Sequence, residues 1–223
     1  MVAPSAAKTR LYEQIAVSGK ALSHASRLEL LDLLSQGERS VDSLARAAEL
    51  NLTTASAHLQ VLKQAGLVQT RRDGVKVFYR LAGDDVAHLF ALLRTVADRH
   101  RPDAAAARIA YLGPSSDPTM APDQLRDRLN DGGLVVLDVR PAEEYQAGHI
   151  PGAVSIPIDE LATRISELPA DAEIVVYCRG HYCAFAHQAV TALKTADRRA
   201  IRLHDGMLEW RLAGNPVTVA RSA

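Results

Sequence analysis

The 223-residue chain predicts two domains of different class, a mainly helical one carrying a β-hairpin and an α/β one with an open, mostly parallel sheet. Three observations predict this. Apolar residues recur at helical spacing from residue 8 to about 98, broken by one Asp73-Gly74 hairpin signal between alternating runs. Beyond residue 118, short apolar runs alternate with helical stretches, the pattern of βα units. Between them, Gly113, Pro114, Ser115, Ser116, Asp117 and Pro118 have linker composition. The expected boundaries are a domain over 1–112, a linker over 113–118 and a domain over 119–223.

Composition narrows the class. With 48% hydrophobic and 23% charged residues the chain reads as soluble and globular. No stretch of about 20 apolar residues occurs, so no membrane span is expected. The first residues lack the apolar core of a signal peptide, and only two cysteines occur, so a reducing cytoplasm is expected. The net charge of zero hides an asymmetry. Residues 1–113 hold 15 Lys/Arg and 11 Asp/Glu, hence +4, and residues 114–223 hold 11 and 15, hence −4. A basic first half suits a polyanionic partner.

Within that half, residues 8–36 read as helix with a break near Ser23-His24 and a stop at Gly37. Ser40 caps a second helix with Val41, Leu44 and Ala48 on its buried face. After a short turn a third helix opens near Thr53 and runs to Gln64, with Leu52, Ala55, Leu59 and Leu62 inward. Two short helices across such a turn describe a helix-turn-helix. The second presents Thr53, Thr54, Ser56, Ala57, His58, Gln60 and Lys63 outward, small or hydrogen-bonding side chains suited to base edges and phosphates. The hairpin that follows carries Arg71, Arg72 and Lys76 near its tip, the position of a wing that holds DNA backbone or minor groove. The DNA-contacting residues expected are Thr53, Thr54, Ser56, His58, Gln60, Lys63, Arg71, Arg72 and Lys76, on double-stranded operator DNA.

The stretches 21–34 (ALSHASRLELLDLL), 40–45 (SVDSLA) and 54–68 (TASAHLQVLKQAGLV) closely resemble the ArsR-type winged-helix repressors over about residues 8–98. That resemblance implies a homodimer in which the last long helix, about 84–100, packs on the partner's first helix. The apolar stripe Val86, Leu89, Phe90, Leu92, Leu93 and Val96 agrees with this. Many members sense metals. The thiolate site of the family has no counterpart here, because the first domain has no cysteine. Asp85, His88, Asp98 and His100 imitate a second family site only loosely, so they are read as surface residues and no metal or other cofactor is expected.

In the second half, strands are expected at 133–139, 154–156, 174–177 and 200–203, and helices at 122–130, 141–147, 158–168, 184–194 and 206–212. Sheets of this kind bind ligands beyond the carboxyl ends of their strands. Both cysteines lie at such an end, in the stretch 174–187 (IVVYCRGHYCAFAH). Loop amides and a helix start following Cys178 would favour a thiolate, and Arg179 would add positive charge. Other readings of the residues are a small buried apolar side chain or half of a zinc site, the latter needing ligands beyond these two cysteines.

Several motifs of this half resemble the rhodanese domain over about residues 119–215. They are Asp138-Val139-Arg140, Glu143-Glu144-Tyr145, 148–153 (GHIPGA), Ile156-Pro157, 177–180 (YCRG) and 206–210 (GMLEW). The resemblance implies that Cys178 accepts a sulfane sulfur as a persulfide. The loop residues Arg179, Gly180, His181 and Tyr182 would cradle it, and Asp138 and Arg140 would brace the site. Many rhodanese loops carry Gly three residues and a basic residue five residues after the cysteine, where this chain has His181 and Cys183. It is similar to natural fusions of an ArsR-type repressor with a rhodanese domain. The expectation is a repressor responsive to sulfane sulfur, with Cys183 as a resolving thiol. The donor would be polysulfide, a low-molecular-weight persulfide or thiosulfate. The competing expectation is a working sulfurtransferase that merely carries a DNA-binding domain. An oxyanion-processing domain is disfavoured by the short loop.

Overall fold

The computed structural model describes residues 4–113, 118–129 and 133–219. Of the expected linker, residues 114–117 lie outside the described residues. The chain divides into two compact units, Met1–Phe90 and Ala91–Ala223.

The first unit begins with α1 (Pro4–Leu22) and α2 (Ala25–Leu34). They separate at Ser23-His24, where the His24 ring accepts the N–H of Ser26 as a cap. β1 (Arg39–Ser40) follows, then α3 (Val41–Ala47), capped by the Ser40 hydroxyl on Ser43 N–H at 3.2 Å. α4 (Leu52–Gln64) is capped by Asn51, whose side chain accepts from Thr54 N–H at 2.8 Å, so it starts one residue earlier than expected. Leu52 is not inward but 52% exposed, because a first-turn residue precedes the stripe that packs. Ala55, Leu59 and Leu62 are fully buried, with Leu30, Leu31 and Leu44 in the same core. β2 (Val68–Asp73) and β3 (Lys76–Leu81) form the hairpin, and β1 adds to β3 on its other edge, all antiparallel. Gly74 takes the first central position with φ 58°, a left-handed conformation that favours glycine. α5 (Asp84–His100) starts in this unit and ends in the next.

In the second unit, α6 (Pro102–Leu112) is a separate helix rather than an extension of α5. Pro102 cannot donate to the preceding turn, and it starts a new helix. Next come β4 (Thr119–Met120), α7 (Pro122–Arg128), β5 (Leu134–Asp138), α8 (Ala142–Ala147), β6 (Val154–Ser155), α9 (Ile158–Arg164) with a 3-10 turn over Ile165–Glu167, β7 (Glu173–Tyr177), α10 (Ala184–Thr195), β8 (Ala200–Leu203) and α11 (Met207–Leu212). The strands form one sheet in the order β4-β8-β7-β5-β6 with every pairing parallel. The central strand β7 is buried on both faces. Ile174 and Val176 pack with Leu161, Ala189, Val190 and Leu193 on one side. Val175 and Tyr177 pack with Leu125, Met207 and Trp210 on the other. Burial on both faces explains why 174–177 is continuously apolar rather than alternating.

Candidate functional site

The helix-turn-helix face is built by α3 and α4. On α4, Thr53, Gln60 and Lys63 are exposed, and Thr54, Ser56 and His58 are half-buried. On α4, Gln60 and His58 have side-chain partners within the unit. The Gln60 amide donates to the Tyr79 hydroxyl at 2.9 Å, which ties helix to wing. His58 packs on His24 with ring centroids 4.4 Å apart. Burial and then the neighbouring charges of His24 and Arg27 lower the His58 pKa. In the wing, Arg71, Arg72 and Lys76 are exposed. Arg71 is engaged by Glu38 at 2.7 Å and Asp73 at 3.2 Å and lies over the Phe78 ring, so its charge is partly neutralised inside the unit.

The cysteine loop leaves β7 at Cys178 and enters α10 at Ala184, with Cys183 as N-cap. Its orientation is set from a distant part of the chain. The N–H groups of Met207 and Leu208, at the start of α11, donate to the carbonyls of Cys178 (2.9 Å) and Arg179 (3.0 Å). With these carbonyls turned towards α11, loop amides are free to face the sulfurs. Gly206 is what allows this approach. A Cβ there would stand 2.3 Å from the Gly180 nitrogen and 2.6 Å from the Cys178 carbonyl oxygen. At Gly180, a Cβ would meet the Glu209 carboxylate at 3.0 Å. Glu209 in turn accepts the Gly206 N–H at 3.2 Å.

The two thiols form one unit. Cys178 is buried and Cys183 half-buried, and both are free. The Cys178 thiol donates to the Cys183 carbonyl oxygen at 3.5 Å. Burial, then the hydrogen bond to Cys183, push the Cys178 thiol well up, against the N–H groups of Ala186 and Gly180. Cys183 moves the other way. The hydrogen bond from Cys178 lowers it, burial opposes, and the N–H groups of Arg179 and Phe185 add to the lowering. Of the two sulfurs, Cys183 is the one whose surroundings favour the charged form, whereas the sequence points to Cys178.

Arg179 contributes less charge here than its position suggests. It makes a bidentate ion pair with the buried Glu144, with contacts of 2.7 and 3.0 Å. Asp138 and Arg140 are both fully buried and hold one another at 2.6 Å, while Arg140 also donates to the Gly148 carbonyl at 2.7 Å. They fix the connection from β5 through α8, which carries Glu144. Tyr182 donates to the Arg94 carbonyl at 3.1 Å, and the Arg94 guanidinium lies over its ring and pairs with Glu209. Gly206, Glu144, Glu209 and Arg94 are supporting residues that the sequence reading gave no role. Gly206 stood within the quoted 206–210 motif, and Arg94 had no signal.

Comparison with known proteins identifies both domains. A family model described as "Bacterial regulatory protein, arsR family" matches residues 24–70, and one described as "Rhodanese-like domain" matches residues 121–213. The HTH-type transcriptional regulator Rv0324 of Mycobacterium tuberculosis is 54% identical over 217 residues, 97% of this chain and 96% of that one. The chain belongs to the ArsR family and carries a C-terminal rhodanese domain. This ArsR-family regulator is also similar to a sulfurtransferase of Allochromatium vinosum, 34% identical over 97 residues, 43% of this chain and 89% of that one. A solved structure, the homodimeric winged helix-turn-helix DNA-binding domain Mb0332 of Mycobacterium bovis, is 53% identical. It covers 46% of this chain and 95% of its own, with a TM-score of 0.43. Among the described residues, no helix is long and apolar enough to cross a membrane.

Proposed function

We propose that this regulator is a homodimeric, cytoplasmic repressor whose affinity for operator DNA responds to sulfane sulfur captured by the Cys178–Cys183 pair. The observation that carries the reading is the pair itself, two free thiols in one loop, with the Cys178 sulfur 3.5 Å from the Cys183 carbonyl oxygen. The dimer is supported by large apolar side chains left in water on α1 and α5. Leu11, Tyr12 and Ile15 are 58–60% exposed, and Leu89, Leu92 and Val96 are 41–60% exposed. On α4 and the wing, Thr53, Thr54, Ser56, His58, Gln60, Lys63, Arg71, Arg72 and Lys76 are the residues assigned to DNA.

The chemistry balances as follows. The Cys178 proton passes to Cys183 or solvent, and the Cys178 thiolate attacks a sulfane sulfur of polysulfide. An S–S bond in the polysulfide breaks, and a shortened polysulfide anion leaves with the electron pair. The Cys183 sulfur then attacks the Cys178 sulfur while the outer sulfur takes up the proton from Cys183 or solvent, so the Cys178–Cys183 disulfide forms and hydrosulfide leaves. The sulfane sulfur is reduced and the two thiols are oxidised. The loop residues Gly180, His181 and Tyr182 shape the turn, and Arg179, Asp138 and Arg140 hold it from outside.

The test uses a duplex selected from a random pool by the reduced protein. Its affinity is measured at fixed salt, with and without polysulfide, for wild type and Cys178→Ser. Polysulfide should weaken wild-type binding and leave the variant unchanged. Equal binding under all conditions overturns the sensor. Mass spectrometry of the treated protein should show the loss of two hydrogens, and an unbridged persulfide as sole product removes Cys183 from the mechanism.

A further inference from the structure

Beside the cysteine loop the second unit holds a cavity of about 270 Å³, walled by Arg94 and Asp98 of α5, Tyr182 of the loop, and the loops after β7 and β8. His181, His204 and Asp205 meet at its edge, with one potential ligand atom of each within 4.8 Å of the others. The two imidazole rings are 5.5 Å apart, and His204 Nδ1 lies 3.2 Å from the Asp205 carboxylate. Among the described residues this is a group that brings three metal-ligating side chains together.

The topology explains the meeting. β7 and β8 are parallel neighbours, with Val176 in register with Arg202. Each strand ends shortly afterwards, and the connections carrying His181 and His204-Asp205 emerge side by side. His204 is pinned at its backbone by donating to the Met120 carbonyl at 2.9 Å. His181 stands where the rhodanese pattern has glycine, so the site is built on the residue by which this loop departs from that pattern.

We propose that His181, His204 and Asp205 form a binding site for a divalent transition-metal ion of the Zn(II) class. Two imidazoles and one carboxylate suit borderline ions, whereas Mg(II) and Ca(II) prefer all-oxygen shells. Three protein ligands leave a fourth position open, and here it opens on the cavity, so an exogenous ligand completes the shell. Bonds of about 2.0–2.2 Å require ligand atoms closer together than they stand. His204 is 54% exposed, so its side chain has room to rotate inward. The site is distinct from the thiol pair, although His181 lies between Cys178 and Cys183 in the chain.

Titration of the tag-free, full-length, reduced protein with Zn(II) by calorimetry and with Co(II) by visible absorption tests the proposal. Wild type should bind one ion per chain. Its cobalt spectrum should show d–d bands without thiolate-to-metal charge transfer. His204→Ala and Asp205→Asn should each weaken binding at least tenfold, with unchanged circular dichroism, and Cys178→Ser should leave it intact. Absence of binding by wild type overturns the proposal. So does binding unaffected by His204→Ala, or a charge-transfer band lost in Cys178→Ser, which would place the ion on the thiols. The operator experiment above does not depend on His204, so the two readings fail separately.

Discussion

The wing and the cysteine loop are both short connections that present functional groups, yet they are held in opposite ways. The wing is local. β2 and β3 pair with each other in consecutive register, Gly74 supplies the turn, and the tip residues stand in water. The cysteine loop depends on residues far along the chain. Its carbonyls are held by α11, its backbone packs on Gly206, and Arg179 is held by Glu144. A surface that reads a polyanion needs exposed charge, which local sequence can supply. A loop that holds two sulfurs against amide donors must be buried, and burial requires the rest of the unit.

The sharpest way to break this contrast is at the buried pair behind the loop. Arg140→Leu leaves Asp138 buried and unpaired, and should cost about 3–5 kcal/mol. Urea unfolding followed by Trp210 fluorescence reads this directly, because Trp210 is the single tryptophan and lies in the second unit. A cost below 1 kcal/mol would mean that water reaches the pair. Gly206→Ala should come next, destabilising the same transition by about 1–3 kcal/mol through overpacking. It should also disturb the loop itself, so that Cys183 loses its lowered pKa in alkylation–pH profiles.

Gly74→Ala is the counterpart in the wing. Its Cβ meets nothing within 4 Å, so only the backbone at φ 58° resists. About 1 kcal/mol should be lost from the first unit. The Trp210 transition and the thiol alkylation profile should not move, and movement of either would show that the wing is not local. The smallest effect is on titration. The Cys183 pKa is depressed in the folded loop first by the Cys178 hydrogen bond, so the thiolate is favoured there. Removing that donor in Cys178→Ala should move the Cys183 alkylation midpoint to higher pH. A midpoint that stays put would credit the amides of Arg179 and Phe185 instead.

Much of the fold was legible because its signals are periodic. The break at Ser23-His24, the Ser40 cap, the Asp73-Gly74 hairpin and the alternation of strands and helices after residue 118 all have structural counterparts. Leu52 was misread because a first-turn leucine shares the composition of the core stripe without sharing its position. The cysteine pair was legible as two thiols five positions apart, but not the direction in which each titrates.

The sequence by itself determined the two classes of domain and the order of their elements, and it singled out the two cysteines as the candidate reactive residues. These follow from hydrophobic period, turn chemistry and residue type, all properties of neighbours along the chain. Tertiary structure alone decided where charge sits. Arg179 turns to Glu144 and Arg71 to Glu38, and the two thiols are shifted in opposite directions, Cys178 up and Cys183 down. It also brought His181 beside His204 and Asp205. Desolvation and charge pairing act through space, between residues that share no sequence neighbourhood, and so they appear only once the chain is folded.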